Sequence, residues 1–155
     1  MGDRRNPSQL SVPRMLAGEP VDPQRSALMA RVRDKDSKPE LAVRRMAHRL
    51  GYRFRLHNRK LPGTPDLVFP RLRKAIFVHG CFWHRHRGCA RTTSPKRRAA
   101  YWAEKFRCNI KRDRVKETQL RRLGWDVLVI WECETFDLDT LSHRLIAFLR
   151  AGTAA

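Results

Sequence analysis

A continuous apolar run, Ala75-Ile76-Phe77-Val78, passes directly into His79-Gly80-Cys81-Phe82-Trp83-His84-Arg85-His86-Arg87-Gly88-Cys89. Apolar residues without polar alternation favour a central strand buried on both faces, so the histidine and cysteine segment hangs as a loop from a strand end. Three histidines, two cysteines and two adjacent aromatics fall within residues 79–89. Metal ligands, acid-base groups and base-stacking side chains therefore share one loop.

The elements around it follow from capping and periodicity. Ser37-Lys38-Pro39-Glu40 predicts a helix start, with Ser37 near the cap, Pro39 in the first turn and Leu41, Val43, Met46, Ala47 and Leu50 facing inward up to Gly51. Tyr52 to Leu56 alternates large and basic residues like a half-exposed strand. The turn-rich Leu61-Pro62-Gly63-Thr64-Pro65 delivers Asp66 at the mouth of a short strand, Leu67-Val68-Phe69. Tyr101, Trp102, Phe106, Ile110, Leu120 and Leu123 recur at helical spacing in a long basic helix, with room for one break. Trp125 to Trp131 reads as a second buried strand, and Asp139 as the cap of a last helix carrying Leu141, Leu145, Ile146 and Leu149. Helix, three strands, helix, strand and helix make an α/β domain with a mixed sheet covered by helices.

At 155 residues the chain needs only one core. Residues 1–25, rich in proline and poor in large apolar side chains, are expected to be a flexible arm, 26–151 a single domain and 152–155 a disordered tail. Lys and Arg number 34 against 15 Asp and Glu, a net charge of +19 that suits a nucleic acid backbone, with an anionic membrane surface as the rival partner. Residues 84–122 hold 14 basic residues against 3 acids, so the basic surface comes from the middle of the chain. No apolar run approaches the roughly 20 residues that span a bilayer, and no signal peptide is visible. A cytoplasmic protein is expected, in which four cysteines are reduced thiols or metal ligands rather than disulfides.

Four residues separate Cys81 from His86 and two separate His86 from Cys89, so one loop can wrap a tetrahedral ion, with Cys133 after the last strand as fourth ligand. Thiolate and imidazole together favour zinc, and a closed set of four is structural. The same residues also fit unrelated core thiols. Cys108 has no partner in sequence and reads as a plain helix thiol. With His86 assigned to zinc, His79 and His84 remain beside Asp66. A carboxylate can hold a hard divalent ion on a phosphate, and a histidine can take a proton from attacking water. A lone Asp before a strand fits a turn residue equally well.

Leu61-Pro62-Gly63-Thr64-Pro65-Asp66, then Ile76 to His84, Asn109, Arg112-Asp113, Leu123-Gly124-Trp125 and Trp131-Glu132-Cys133 together resemble the very short patch repair (Vsr) DNA mismatch endonucleases. The resemblance covers roughly residues 26–135 and combines several rare motifs in order. It implies a restriction-endonuclease-like fold with structural zinc, and a magnesium-dependent nick 5′ to the mismatched thymine of a T:G pair. By position it makes Asp66 the magnesium ligand together with the Val78 backbone carbonyl, His84 the general base and His79 a second catalytic histidine. Asp113 and Glu40 match supporting acids. Phe82, Trp83 and Trp102 match an aromatic wedge, Lys105 and Asn109 mismatch-reading positions, and Met29 and Val32 an N-terminal helix approaching from the other groove. Trp102 shares its helical spacing with Phe106 and Ile110, which fits a core residue as well.

The chain departs from the pattern at Val78, where familiar members carry Thr, at the extra Gly88, and at Arg85 and Arg87 in place of histidines. The resemblance further implies a monomer acting on double-stranded DNA, functionally linked to a DNA cytosine methyltransferase and to mismatch-repair proteins. Two other readings fit the same residues: a non-catalytic zinc-stabilised binder of distorted DNA, and an endonuclease of the same fold with another mismatch or site specificity.

Overall fold

The structure is a computed structural model that describes residues 23–31 and 35–152. The expected arm lies outside the described residues up to position 22, and helix α1 spans Pro23–Ala30. The expected tail lies outside them from position 153. Among the described residues no helix is long and apolar enough to cross a membrane.

Helix α2 spans Lys38–Arg49, with Ser37 as its cap accepting the Glu40 N–H at 3.4 Å and Pro39 in the first turn. Val43, Met46 and Ala47 face the core, and Glu40 is buried with them at 3 % exposure. A buried carboxylate needs partners. The functional site supplies them.

Four strands follow in the spatial order β1-β2-β3-β4: β1 Arg55–Leu56, β2 Leu67–Phe69, β3 Lys74–His79 and β4 Asp126–Trp131. The first two junctions are antiparallel, with Leu67 opposite Ile76, and β3 pairs with β4 in parallel. A parallel pair needs a crossover, and helix α4, Ala99–Arg122, lies within it. α4 is one unbroken 24-residue helix, in line with the long basic helix read from sequence. Between β3 and α4 lies a single helical turn, α3, Cys81–His84. Helix α5, Leu138–Arg150, closes the chain, capped by Asp137 rather than the expected Asp139. Asp137 accepts the N–H groups of Asp139 and Thr140, and Asp139 already stands inside the first turn.

Residues alternate along β3. Ile76 joins Val43, Met46, Leu67, Phe69, Ile130, Leu141 and Leu145 in a core between the sheet and helices α2 and α5. Ala75 and Phe77 join Val68, Leu120 and Trp125 on the α4 face. Helices on both faces explain why β3 reads as an uninterrupted apolar run.

Two strand expectations need correction. Only Arg55 and Leu56 of the 52–56 stretch pair as a strand, and both are exposed. Tyr52 and Phe54 instead set their rings edge-on to Phe69, 6.3 and 5.9 Å away. In β4 only Ile130 is fully buried, because β4 is the last strand of the sheet and has a neighbour on one side only.

Lys74 is the most consequential surprise, a lysine with 1 % exposure at the start of β3. Its Nζ donates to the carbonyls of Phe148 and Ala151 at the end of α5 and lies 5.2 Å from the Phe148 ring centre. The charge therefore satisfies acceptors that a helix end leaves unpaired. Lys74→Met should leave those carbonyls buried without donors and cost about 1–3 kcal/mol, read as a lowered urea midpoint. An unchanged midpoint would show that α5 does not depend on this contact.

Candidate active site

In the parallel register His79 lies opposite Trp131, so β3 and β4 end side by side. From the end of β3, Gly80 caps the α3 turn, its carbonyl accepting the His84 N–H at 3.1 Å. From the end of β4, a 3-10 segment over Glu132–Phe136 brings Cys133 back to that turn. Cys81, His86, Cys89 and Cys133 thereby gather with their ligand atoms within 4.8 Å of one another.

The distances suit one tetrahedral ion. The thiols of Cys81 and Cys133 stand 3.7 and 3.4 Å from His86 Nδ1, close to the roughly 3.5–3.8 Å edges expected around zinc at normal bond lengths. Burial pushes the Cys81 and Cys133 thiols above their ordinary pKa, whereas the Arg91 backbone N–H draws Cys89 down. Buried thiols keep their protons without a cation, so metal binding releases them. The loop itself is heavily tied. The His86 N–H returns to the Cys81 carbonyl, Thr92 Oγ1 donates to the carbonyls of Cys81 and His86, and the His86 ring stacks on Trp131 at 4.4 Å. Gly88, at φ +71 with open space around it, makes the extra residue a turn.

Beside this cluster lies a second one, formed by His79, His84 and Asp113. The rings of His79 and His84 stack at 3.9 Å, and His84 Nδ1 is 2.6 Å from Asp113 Oδ2 on α4. A carboxylate on Nδ1 fixes the imidazole so that Nε2 is the atom available for chemistry. Burial alone would raise Asp113, but the His84 hydrogen bond and charge hold it below its ordinary value. Burial, reinforced by the neighbouring His84, lowers His79 to about 3. Burial thus disfavours the charged form of the His79 ring.

Asp66, just before β2, lies at the same end of the sheet. Its Oδ2 accepts the Val78 N–H at 2.7 Å across the β2–β3 pair. Burial and a side-chain hydrogen bond with Glu40 raise its pKa to about 8. Glu40 in turn accepts from Arg44 Nη2 at 2.9 Å and from the Asp36 N–H at 2.8 Å. Two carboxyl groups sharing a buried site are a ready place for a cation.

The aromatic positions also converge. Phe82 and Trp83 meet at 5.1 Å, Phe82 and Trp102 at 5.8 Å, and Trp83 and Trp102 at 6.0 Å. Lys105 Nζ lies 5.6 and 5.4 Å from the Trp83 and Trp102 ring centres, and Asn109 Nδ2 donates to the Trp83 carbonyl at 3.2 Å. Trp102 is buried at 9 % exposure, packed on Phe106 as helical spacing suggested. Arg85, which departs from the pattern, stacks 3.9 Å from the Phe106 ring centre and donates to the Thr93 carbonyl. Met29 is half-buried on α1, and Val32 lies outside the described residues.

Residues 21–91 match the family model described as DNA mismatch endonuclease Vsr. The Type II nicking enzyme V.XorIIP of Xanthomonas oryzae is 53% identical over 121 residues, covering 78% of this chain and 88% of that protein. The DNA mismatch endonuclease Vsr of Escherichia coli is 39% identical over 126 residues, covering 78% and 80%. This chain belongs to the Vsr family. A third Vsr relative, the Type II nicking enzyme V.NmeAIP of Neisseria meningitidis, is 36% identical over 126 residues and covers 81% and 89%. The family is one of DNA endonucleases, in keeping with the charge of +19.

Of the described site residues expected from sequence, only Met29, on α1, stands apart from these groups. Sequence reasoning missed Arg44 and His57, which contact Glu40 and Asp66. Arg44 had a signal, since it stands four residues after Glu40 on a helix. His57 had none, lying just past the exposed β1 at φ +46.

The state of His79 is open to measurement. The unfolded chain takes up a proton near pH 6.5, the folded chain only near 3, so this histidine lowers stability progressively as pH falls through that window. By NMR, the His79 ring resonance in the free protein should stay fixed from pH 5 to 8. A titration midpoint near 6.5 would contradict its burial.

Proposed function

We propose that this chain nicks double-stranded DNA at T:G mismatches, cutting 5′ to the mismatched thymine, with Mg2+ at Asp66 and structural Zn2+ on Cys81, His86, Cys89 and Cys133. The observation that carries the reading is the meeting of Asp66, the His79–His84–Asp113 cluster and the aromatic group on one end of the sheet. Magnesium, when bound, would stabilise negative charge developing on the scissile phosphate. Asp66 and the Val78 carbonyl would hold it, with Glu40 as a supporting acid.

His84 is the base on this reading. Asp113 holds Nδ1, which leaves Nε2 to take the proton of an attacking water, and the carboxylate stabilises the imidazolium that results. His79, neutral and stacked against His84, keeps that ring in one plane and offers a hydrogen bond. Phe82, Trp83 and Trp102 form the wedge that enters the base stack, with Lys105 and Asn109 reading the mismatch and Met29 and Val32 approaching from the opposite groove. Inserting side chains costs a few kcal/mol of unstacking per step, and a wobble pair is cheaper to distort than a Watson-Crick pair.

The four-stranded mixed sheet with helices on both faces supports a restriction-endonuclease-like fold. The protein acts as a cytoplasmic monomer on an asymmetric substrate, after a cytosine methyltransferase has created the vulnerable base and before mismatch-repair proteins complete the patch. A second reading, favoured by relatives named Type II nicking enzymes, keeps the nick but confines it to one flanking sequence.

Paired T:G and T:A duplexes in several flanking contexts decide between these readings. With Mg2+, only T:G strands should be cut, and Asp66→Ala should lower nicking at least a thousandfold while zinc content stays near one per chain. Equal cutting of T:A would sink the mismatch claim, and cutting of T:G in one context alone would select the second reading. Because the Asp66 carboxyl keeps its proton up to about pH 8, a cation must displace that proton below this value. Nicking at subsaturating Mg2+ should therefore rise with pH by up to tenfold per unit and level off near 8. A flat profile from pH 6 to 8 would show that Asp66 is already ionised.

A further inference from the structure

Arg85 stands between His84 and His86 and ends the α3 turn in a left-handed conformation, φ 59 and ψ 63, which residues with a Cβ disfavour. Its side chain holds the turn there. The guanidinium carbon lies 3.9 Å from the Phe106 ring centre and 5.8 Å from that of Phe82. Nη1 donates to the Thr93 carbonyl at 2.8 Å and to the Phe82 carbonyl at 3.4 Å, and Nη2 donates to Ser94 Oγ at 3.0 Å. One planar group thus touches α3, α4 and the segment that follows the cysteine and histidine loop.

The partners of Arg85 are themselves tied. Phe106 is buried on α4, where its ring meets Phe82 edge-on at 5.3 Å and Trp102 at 5.6 Å. Thr92, next to Thr93, donates to the carbonyls of Cys81 and His86, so the segment that Arg85 grips is the one that braces the loop. His84 is held separately, by Asp113 and by the stack on His79. Both the fork and the stack need a planar guanidinium, which an ammonium group does not replace.

We propose that Arg85 is the positioning residue of the aromatic group: it clamps the α3 turn against α4, so that Phe82 and Trp83 are presented to the duplex from a fixed base. This rests on the mismatch-wedge reading above. A group held in place before contact loses less freedom on binding, so the clamp acts on affinity for distorted duplex. The chemical step is left alone, because the contacts of His84 with Asp113 and His79 do not pass through Arg85. The rival role for an arginine here, a contact to the DNA backbone, needs only positive charge and would strengthen matched and mismatched duplex alike.

The test is single-turnover nicking of the T:G duplex by the full zinc-loaded chain, as wild type, Arg85→Lys and Arg85→Gln, over a range of protein concentrations, with T:A binding measured beside it. The half-saturating concentration should rise about tenfold for both variants, the scale of one desolvated cation–π contact. The rate at saturation should hold, and Arg85→Lys should keep the wild-type affinity for T:A and its salt dependence. An Arg85→Lys variant that matches the wild type, or that weakens T:A binding as much as T:G binding, would overturn the proposal. So would a lower rate at saturation with half-saturation unchanged. In the free wild type, NMR should find the Arg85 side-chain protons shifted upfield by the Phe106 ring, and unshifted positions overturn the clamp even if neither variant folds. A wild type that cuts no T:G strand refutes the mismatch reading, while that ring-current shift still decides whether Arg85 clamps the turn.

Discussion

The parallel pairing of β3 with β4 is the constraint on which the site depends. It sets His79 opposite Trp131 and turns both chain ends outward at the same edge, where Cys133 can meet Cys81 and His86. The crossover that joins the two strands must contain a long segment, and α4 provides it. Since α4 packs on the sheet through Leu120, the rest of the helix is carried past the loop at a fixed distance. Asp113 reaches His84 and Asn109 reaches the Trp83 carbonyl because one rigid helix delivers both. Moving β4 by one residue would separate the metal ligands and reverse the faces of its side chains.

That arrangement concentrates groups that oppose folding. Glu40, His79, Lys105 and Asn109 are all buried, and each gives up hydration that only partners can restore. Glu40 is bound by Arg44, Asn109 donates to a carbonyl, and Lys105 lies over aromatic rings. Asp66 and His79 are less well compensated, which is why one is driven up and the other down in pKa. Groups displaced in this way are found where a ligand will later supply the missing charge. On the face covered by α2 and α5, buried Glu40 and Lys74 are each met by partners, Arg44 for the one and the carbonyls at the end of α5 for the other.

The elements that sequence makes legible are those with local causes. Ser37 and Pro39 announce α2, the apolar run announces β3, and the clustered cysteines and histidine announce a metal set, because each depends on neighbours in the chain. The misread features depend on neighbours in space. Tyr52 and Phe54 leave the strand pattern because Phe69 offers them an edge-on contact. β4 is half-exposed because of its place in the sheet, and Lys74 is buried because the end of α5 folds over it. Asp137 displaces Asp139 as the cap by a shift of two residues that composition cannot distinguish. Within the site the family motifs located the acids, histidines and aromatics, but not the Arg44–His57 bracket, whose members are 13 residues apart and meet only after β1 and β2 pair.

The free protein already keeps its aromatic group stacked on itself. Phe82 touches Trp83, Trp102 and Phe106, and Arg85 closes the far side over Phe106. Under the proposed reading, entering a base stack would exchange ring–ring contacts for ring–base contacts rather than expose new apolar surface. The net gain of that exchange is small, since stacking on a base and stacking on an aromatic side chain are of similar strength. A small gain cannot offset the opening of a well-paired step but can offset that of a weakened one, so under the proposed reading selectivity would follow from the aromatic group being satisfied at rest. Trp102, at 9 % exposure, is the member that must move least and Trp83 the one freer to leave. Under the proposed reading Trp83 would contribute chiefly to insertion, and Trp102, on α4, chiefly to supporting Phe82 and Trp83 on α3.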